Sequence, residues 1–269
     1  MPSVRASIGL LLLAVFTSVR ADAASTTNYS DQWWIPAESG WGASVLQQWD
    51  TLFLDLFVYG TDNKPAWFTV AAYYQANSPA GHALFNGDLY VTSGPYYGGP
   101  FNAAPVTARK VGTLSFDATD VNTARLTYVV DGTTVVKNVT RQTWRNENLS
   151  GSYYGGIVSD RAGCNTPANN GHGETPANFA ITQLPDNSIT ITAEVGLAGC
   201  TITGTYTQTG HMGEITNGHG PCDDNGGGTS FHVYEIERTA TGFSARFSAV
   251  GDPGGDQCKT AARIGGVRR

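Results

Sequence analysis

The chain has 269 residues, 41% hydrophobic, 14% charged and 11% aromatic, with 33 Gly and 12 Pro; this composition can bury a core and excludes a disordered or low-complexity chain. The formal net charge of −6, with no cluster of Lys and Arg longer than the pairs Arg109-Lys110 and Arg268-Arg269, excludes a phosphate-tracking surface, so nucleic acid is not an expected partner.

Arg5, the apolar run 8–15 and the small-x-small site Ala21-Asp22-Ala23 form an export signal, so residues 1–23 are expected to be removed and the protein to be secreted or periplasmic. No other stretch approaches the roughly 20 apolar residues of a transmembrane helix.

Residues 24–146 are expected to form one aromatic-rich β-domain. In Thr51-Leu-Phe-Leu-Asp-Leu-Phe-Val-Tyr59, Leu52, Leu54, Leu56 and Val58 alternate with Phe53, Asp55, Phe57 and Tyr59, the two-residue period of a strand. One face must line an interior, while the other, with Asp55 as its polar exception, must be covered or form an aromatic surface. The turn cluster 59–65 and the strand-like 66–74 complete a hairpin. Further strands are expected near Trp33, over 41–49, 84–91 and 111–116, and over 124–130 and 135–144, the last two joined by Asp131-Gly132, a favoured type I′ turn.

Residues 147–269 repeat the pattern, with strands expected over 151–158, 178–184, 188–195, 201–209, 213–217, 230–237, 242–249 and 261–267. All four cysteines, Cys164, Cys200, Cys222 and Cys258, lie in this half, and in an exported chain an even count predicts two disulfides of open pairing. Short strands on short turns predict an all-β protein of two small antiparallel meander barrels, each of eight strands, a size that holds side chains or one small ligand.

The stretch Trp34-Ile35-Pro36-Ala37-Glu38-Ser39-Gly40-Trp41-Gly42, with Gln47-Gln48, Phe57-x-Tyr59 and Pro65-x-Trp67-Phe68, resembles a recurrent domain of secreted proteobacterial proteins, with Ile35 at the usual Asn position. The resemblance covers residues 33–144. It implies secretion and a repeated β-domain, and assigns no catalytic role to any residue. The segment Leu149-Ser-Gly-Ser-Tyr-Tyr154 is similar to the first strand of avidin-like or lipocalin-like barrels.

Glu38, flanked by Trp34 and Trp41, is the sharpest single candidate: a desolvated acid with a raised pKa, a sugar-hydroxyl acceptor, or a turn residue beside core tryptophans. A hydrolase or lyase would need a second carboxylate, for which Asp50 and Asp55 are nearest in sequence. The six indoles, Trp33, Trp34, Trp41, Trp49, Trp67 and Trp144, all fall in the first half, which suits recognition of a glycan, a peptide or a small apolar ligand through ring faces. The expected binding set is Trp34, Glu38, Trp41, Trp67, Tyr96 and Tyr97. His219, Asp223 and Asp224 are a weak metal alternative, because that loop lacks the calcium pattern and any paired-histidine spacing. No cofactor is expected. A binding protein is therefore the principal reading, with a carbohydrate-active enzyme and an envelope structural protein as alternatives.

Overall fold

The structure is a computed structural model that describes residues 27–196, 198–222, 226–250 and 256–269; the expected export signal lies outside them. The fold is all-β, two separate antiparallel barrels of eight strands each, apart from short 3-10 turns at Pro36–Glu38 and Pro167–Asn169. No helix among the described residues is long and apolar enough to cross a membrane.

In the first barrel, β1 (Asp31–Trp34), β2 (Gly42–Gln48), β3 (Thr51–Tyr59), β4 (Pro65–Tyr74), β5 (Ala83–Ser93), β6 (Thr107–Ala118), β7 (Thr123–Val130) and β8 (Thr133–Arg141) each pair with the next, and β1 pairs with β8 to close the ring. Closure follows from the side-chain period. Leu52, Leu54 and Leu56 point inward with Trp33, Phe85, Leu114, Phe116 and Leu126, all essentially sealed from solvent. Rings fill the interior edge to face: Trp33 meets Phe116 at 5.1 Å between centroids, and Tyr74 meets Phe85 at 5.5 Å. The β7–β8 hairpin turns through Asp131 and Gly132 with φ of 46° and 87°, as a two-residue type I′ turn requires.

The second barrel comprises β9 (Gly151–Ala162), β10 (Gly171–Gln183), β11 (Ser188–Val195), β12 (Ala198–Thr205), β13 (Thr207–Thr209), β14 (Met212–Cys222), β15 (Gly226–Arg238), β16 (Gly242–Val250) and β17 (Lys259–Arg268). β12 and β13 are one strand interrupted at Tyr206, and both pair with β14, which closes the ring. Each expected strand of this half has a counterpart. β9 and β10, however, run on together through residues 159–162 and 171–177, beyond the expected strands 151–158 and 178–184. Pro176 fits because β10 pairs with β11 only from Asn178 onward, so its missing N–H faces no strand.

Among the described residues one of the expected disulfides is seen in full. Cys164 is bonded to Cys258, and Cys200 is also disulfide-bonded, with Cys222 opposite it in the β12–β14 register.

Polar contacts join the barrels around Asp31. Its carboxylate accepts the backbone N–H of His211 at 3.0 Å, contacts the His211 ring Nδ1 at 2.8 Å and lies 3.3 Å from Arg141 Nη1. The Arg141 side chain is wholly buried and also donates to the carbonyls of Asn28, Ser30 and Val121, with its guanidinium 4.8 Å from the Trp33 ring. Burial alone would raise the Asp31 carboxyl, but the His211 hydrogen bonds and the His211 and Arg141 charges outweigh it and hold the group below its ordinary value. Gly210 (φ 63°) sits so close that a Cβ there would lie 2.1 Å from Asp31 Oδ2.

Candidate functional site

Because β3 is apolar on both faces, its outward residues form a surface instead of a core. The register sets them in cross-strand rows on the outer wall of the first barrel: Gly42, Phe57 and Trp67; then Ser44, Asp55 and Thr69; then Leu46, Phe53 and Ala71. Tyr59 continues the strip at one end and Tyr73 at the other. Trp67 is 62% exposed, and Leu46, Phe53, Tyr59 and Tyr73 are also exposed. At about 3.3 Å per residue and 4.8 Å per strand, the strip is roughly 25 Å long and 10 Å wide. An aromatic cluster of this kind on one domain is consistent with a ligand-binding surface.

Two glycines of the Glu38–Gly42 stretch set one end of this strip. At Gly42 a Cβ would lie 2.8 Å from the Phe57 ring and 3.0 Å from the Trp33 carbonyl, so only glycine admits Phe57 there. Gly40, at φ 120°, faces the Tyr59 hydroxyl. Phe57 in turn meets Trp67 at 6.3 Å between centroids. These contacts seat Phe57 over Gly42 and beside Trp67, and place Tyr59 over Gly40.

Glu38 ends the 3-10 turn in which Pro36 occupies a first-turn position. Its carboxylate accepts the Trp41 indole N–H at 3.0 Å and the Lys137 ammonium at 2.5 Å, and Lys137 also lies 5.3 Å from the Trp41 ring. The Lys137 hydrogen bond is the main reason that the Glu38 carboxyl lies below its ordinary pKa, with the Trp41 bond adding to it against a smaller opposing burial effect. This reverses the raised pKa expected for a desolvated acid. Glu38 is an exposed, ion-paired carboxylate that braces Trp41, and it is ionised at neutral pH.

Asp50 and Glu38 flank opposite ends of the seven-residue β2, a separation of roughly 20 Å along the strand, well beyond the about 5–9.5 Å of paired glycosidase carboxylates. Asp55 is half-buried at the middle of the strip, and burial alone raises its pKa, with no second carboxylate or cation contributing. The geometry assembles no acid–base pair from the three carboxylates.

The remaining candidates are dispersed. Trp34 is half-buried on β1, while Trp33 is in the core. Tyr96 and Tyr97 form an exposed pair, 4.8 Å apart, in the β5–β6 loop. Trp49, 87% exposed, tips the β2–β3 hairpin with φ 54°, a left-handed conformation that a bulky residue rarely adopts. Trp144 is exposed after β8. His219 contacts Thr203 and the Asn217 carbonyl, and Asp223 and Asp224 lie outside the described residues. Among the described residues, one group of three potential metal-ligating side chains occurs, Cys164, Asp256 and Cys258, but its two sulfurs are bonded to each other. Asp256 instead accepts the Thr166 N–H and the Asn169 amide.

Trp67, Trp41 and Asp55 were singled out in the sequence, whereas Leu46, Phe53 and Tyr73 were outside the expected binding set. The alternation in 51–59 carried the signal for Phe53. The chain matches no family model, no curated protein and no solved structure.

Proposed function

We propose that the protein is an exported binding module that recognises a glycan chain on the outer wall of β2–β4. One observation carries this reading: a row of exposed rings, Tyr59, Trp67 and Phe53, with half-buried Phe57 between them, interrupted at mid-length by the polar row Ser44, Asp55 and Thr69. Sugar rings present C–H faces that stack on aromatic side chains and hydroxyls that donate to a carboxylate, and the length of the strip suits an extended polymer. Trp41, braced by Glu38 and Lys137, and the dispersed Trp34, Tyr96 and Tyr97 are further candidate contacts of the ligand. The Cys164–Cys258 disulfide, a bond that persists in oxidising compartments, supports removal of residues 1–23 and function of units 24–146 and 147–269 outside the cytoplasm.

The test is a glycan and peptide panel read by calorimetry and tryptophan fluorescence. Saturable glycan binding is expected, weakened at least tenfold by Trp67→Ala or Phe53→Ala and left intact, without turnover, by Glu38→Gln. Because burial raises the Asp55 pKa, affinity should fall on acidification at a pH above the ordinary aspartate value, and Asp55→Asn should abolish that dependence. Binding of peptides alone would replace the ligand class. Glycan binding untouched by both ring truncations would remove the strip as the site.

A further inference from the structure

The second barrel contains a cavity of about 200 Å³ whose walls include Phe179, Ile191, Ile202, Phe231 and Ile264. It arises from a taper in the inward side chains. Toward the end nearest the first barrel, the interior is plugged by large groups: Tyr153 packs on Phe243 at 4.9 Å, Phe243 on Phe179 at 5.4 Å, and the Tyr153 hydroxyl donates to the carbonyl of buried Leu149 at 2.6 Å. Toward the other end, the alternate residues shrink. β9 passes from Tyr153 through Gly155 and Ile157 to Ser159, and β17 from Ile264 through Ala262 to Thr260, while β11 narrows at Ala193 between Ile191 and Val195. Eight closed strands fix the wall, so the missing side-chain volume remains as space.

That end is also where the cross-links lie. Cys164–Cys258 ties the β9–β10 connection to the start of β17, and disulfide-bonded Cys200 lines the cavity itself. A wall held in this way resists the collapse that would otherwise fill a void. An empty apolar cavity loses packing contacts, at about 24 cal/mol per Å³, so an occupant of matching shape gains them.

We infer that the second barrel is a receptor for one small, uncharged molecule with an apolar body of about six to ten carbons, because an apolar cavity of roughly 150 Å³ accommodates benzene and drug-sized pockets begin near 300 Å³. None of the fourteen described lining residues is charged, which disfavours an ionic ligand. Ser159 and Thr260 provide the hydroxyl groups of the lining, on adjacent strands toward the cross-linked end, and orient a single hydrogen-bonding group of the ligand there. This site is independent of the outer wall of the first barrel.

The experiment uses the mature, oxidised protein labelled at isoleucine methyls and titrated with 1-octanol, p-cresol and, as the charged counterpart, octanoate. Saturable shifts are expected at Ile157, Ile191, Ile202 and Ile264 but not at Ile35 of the first barrel, with octanoate at least tenfold weaker than 1-octanol. Ala193→Leu and Ala262→Leu, which fill the space, should each weaken 1-octanol at least tenfold. The inference is overturned if neither neutral probe shifts those four methyls up to its solubility, if octanoate matches 1-octanol, or if a folded filled variant binds undiminished. Should both variants fail to fold, the methyl titration of the unsubstituted protein decides alone.

Discussion

Replacing Asp31 with asparagine tests how the two barrels are joined. The substitution removes the negative charge that faces the wholly buried Arg141 guanidinium and leaves that cation with three backbone carbonyls as partners. Breaking a buried ion pair from one side costs about 3–5 kcal/mol, and an asparagine oxygen that still accepts one hydrogen bond from His211 reduces this to about 2–3 kcal/mol. For a chain of this length that is roughly 5–10 °C in Tm. The folded pKa of Asp31 is depressed, so its contribution is complete above the unfolded value near 3.8 and is lost as pH falls through the folded pKa. Urea unfolding of both proteins from pH 7 to pH 2 should therefore show a gap that is constant down to about pH 4 and closes below it. A gap of the same size at pH 2, or none at pH 7, would falsify the assignment of Asp31 as the charge that holds this junction.

Gly210→Ala should destabilise the same junction, because its Cβ would overlap the Asp31 carboxylate, and the loss should not add to that of Asp31→Asn in a double-mutant cycle. Trp49→Gly relieves a positive φ at a largely exposed side chain, so the urea midpoint should rise by the equivalent of about 0.5–1 kcal/mol; a fall would mean that the ring packs on the barrel. Gly42→Ala should cost about 1–3 kcal/mol and displace Phe57, seen as a change in the fluorescence of neighbouring Trp67. Cys164→Ser with Cys258→Ser opens a link between residues 94 apart and should lower stability by about 2–5 kcal/mol, with tryptophan emission from the first barrel unchanged below the transition.

The barrel architecture was legible because its causes are local. Leu52, Leu54 and Leu56 alternate with polar or aromatic partners, and Asp131-Gly132 requires the φ values that the β7–β8 turn adopts. What escaped reading depends on distant contacts. The parity that buries Trp33 and turns Trp34 away is invisible in a pair of adjacent tryptophans. Glu38 appeared as a potential acid because its lysine lies 99 residues further along the chain, and nothing near Arg141 in the sequence marks it as buried, since Asp31 is 110 residues away. The extension of β9 and β10 was hidden by Gly171, Gly173 and Pro176, which weaken strand propensity but are tolerated where one ladder suffices. The taper inside the second barrel was present as Tyr153, Gly155, Ile157 and Ser159, yet its meaning depends on the adjacent strand β17 shrinking at the same end, from Ile264 through Ala262 to Thr260.

The ring closure of both sheets governs how any partner can be engaged. Over most of each ring the backbone amides and carbonyls are paired on both sides, so strand addition by a peptide is confined to projecting margins such as β6 at 107–110 and β10 at 171–177, and the latter carries Pro176 where templating would need a donor. Elsewhere association proceeds through side chains standing off the walls or reaching into the lumen, so selectivity can change by single substitutions without disturbing the ladder that holds the fold.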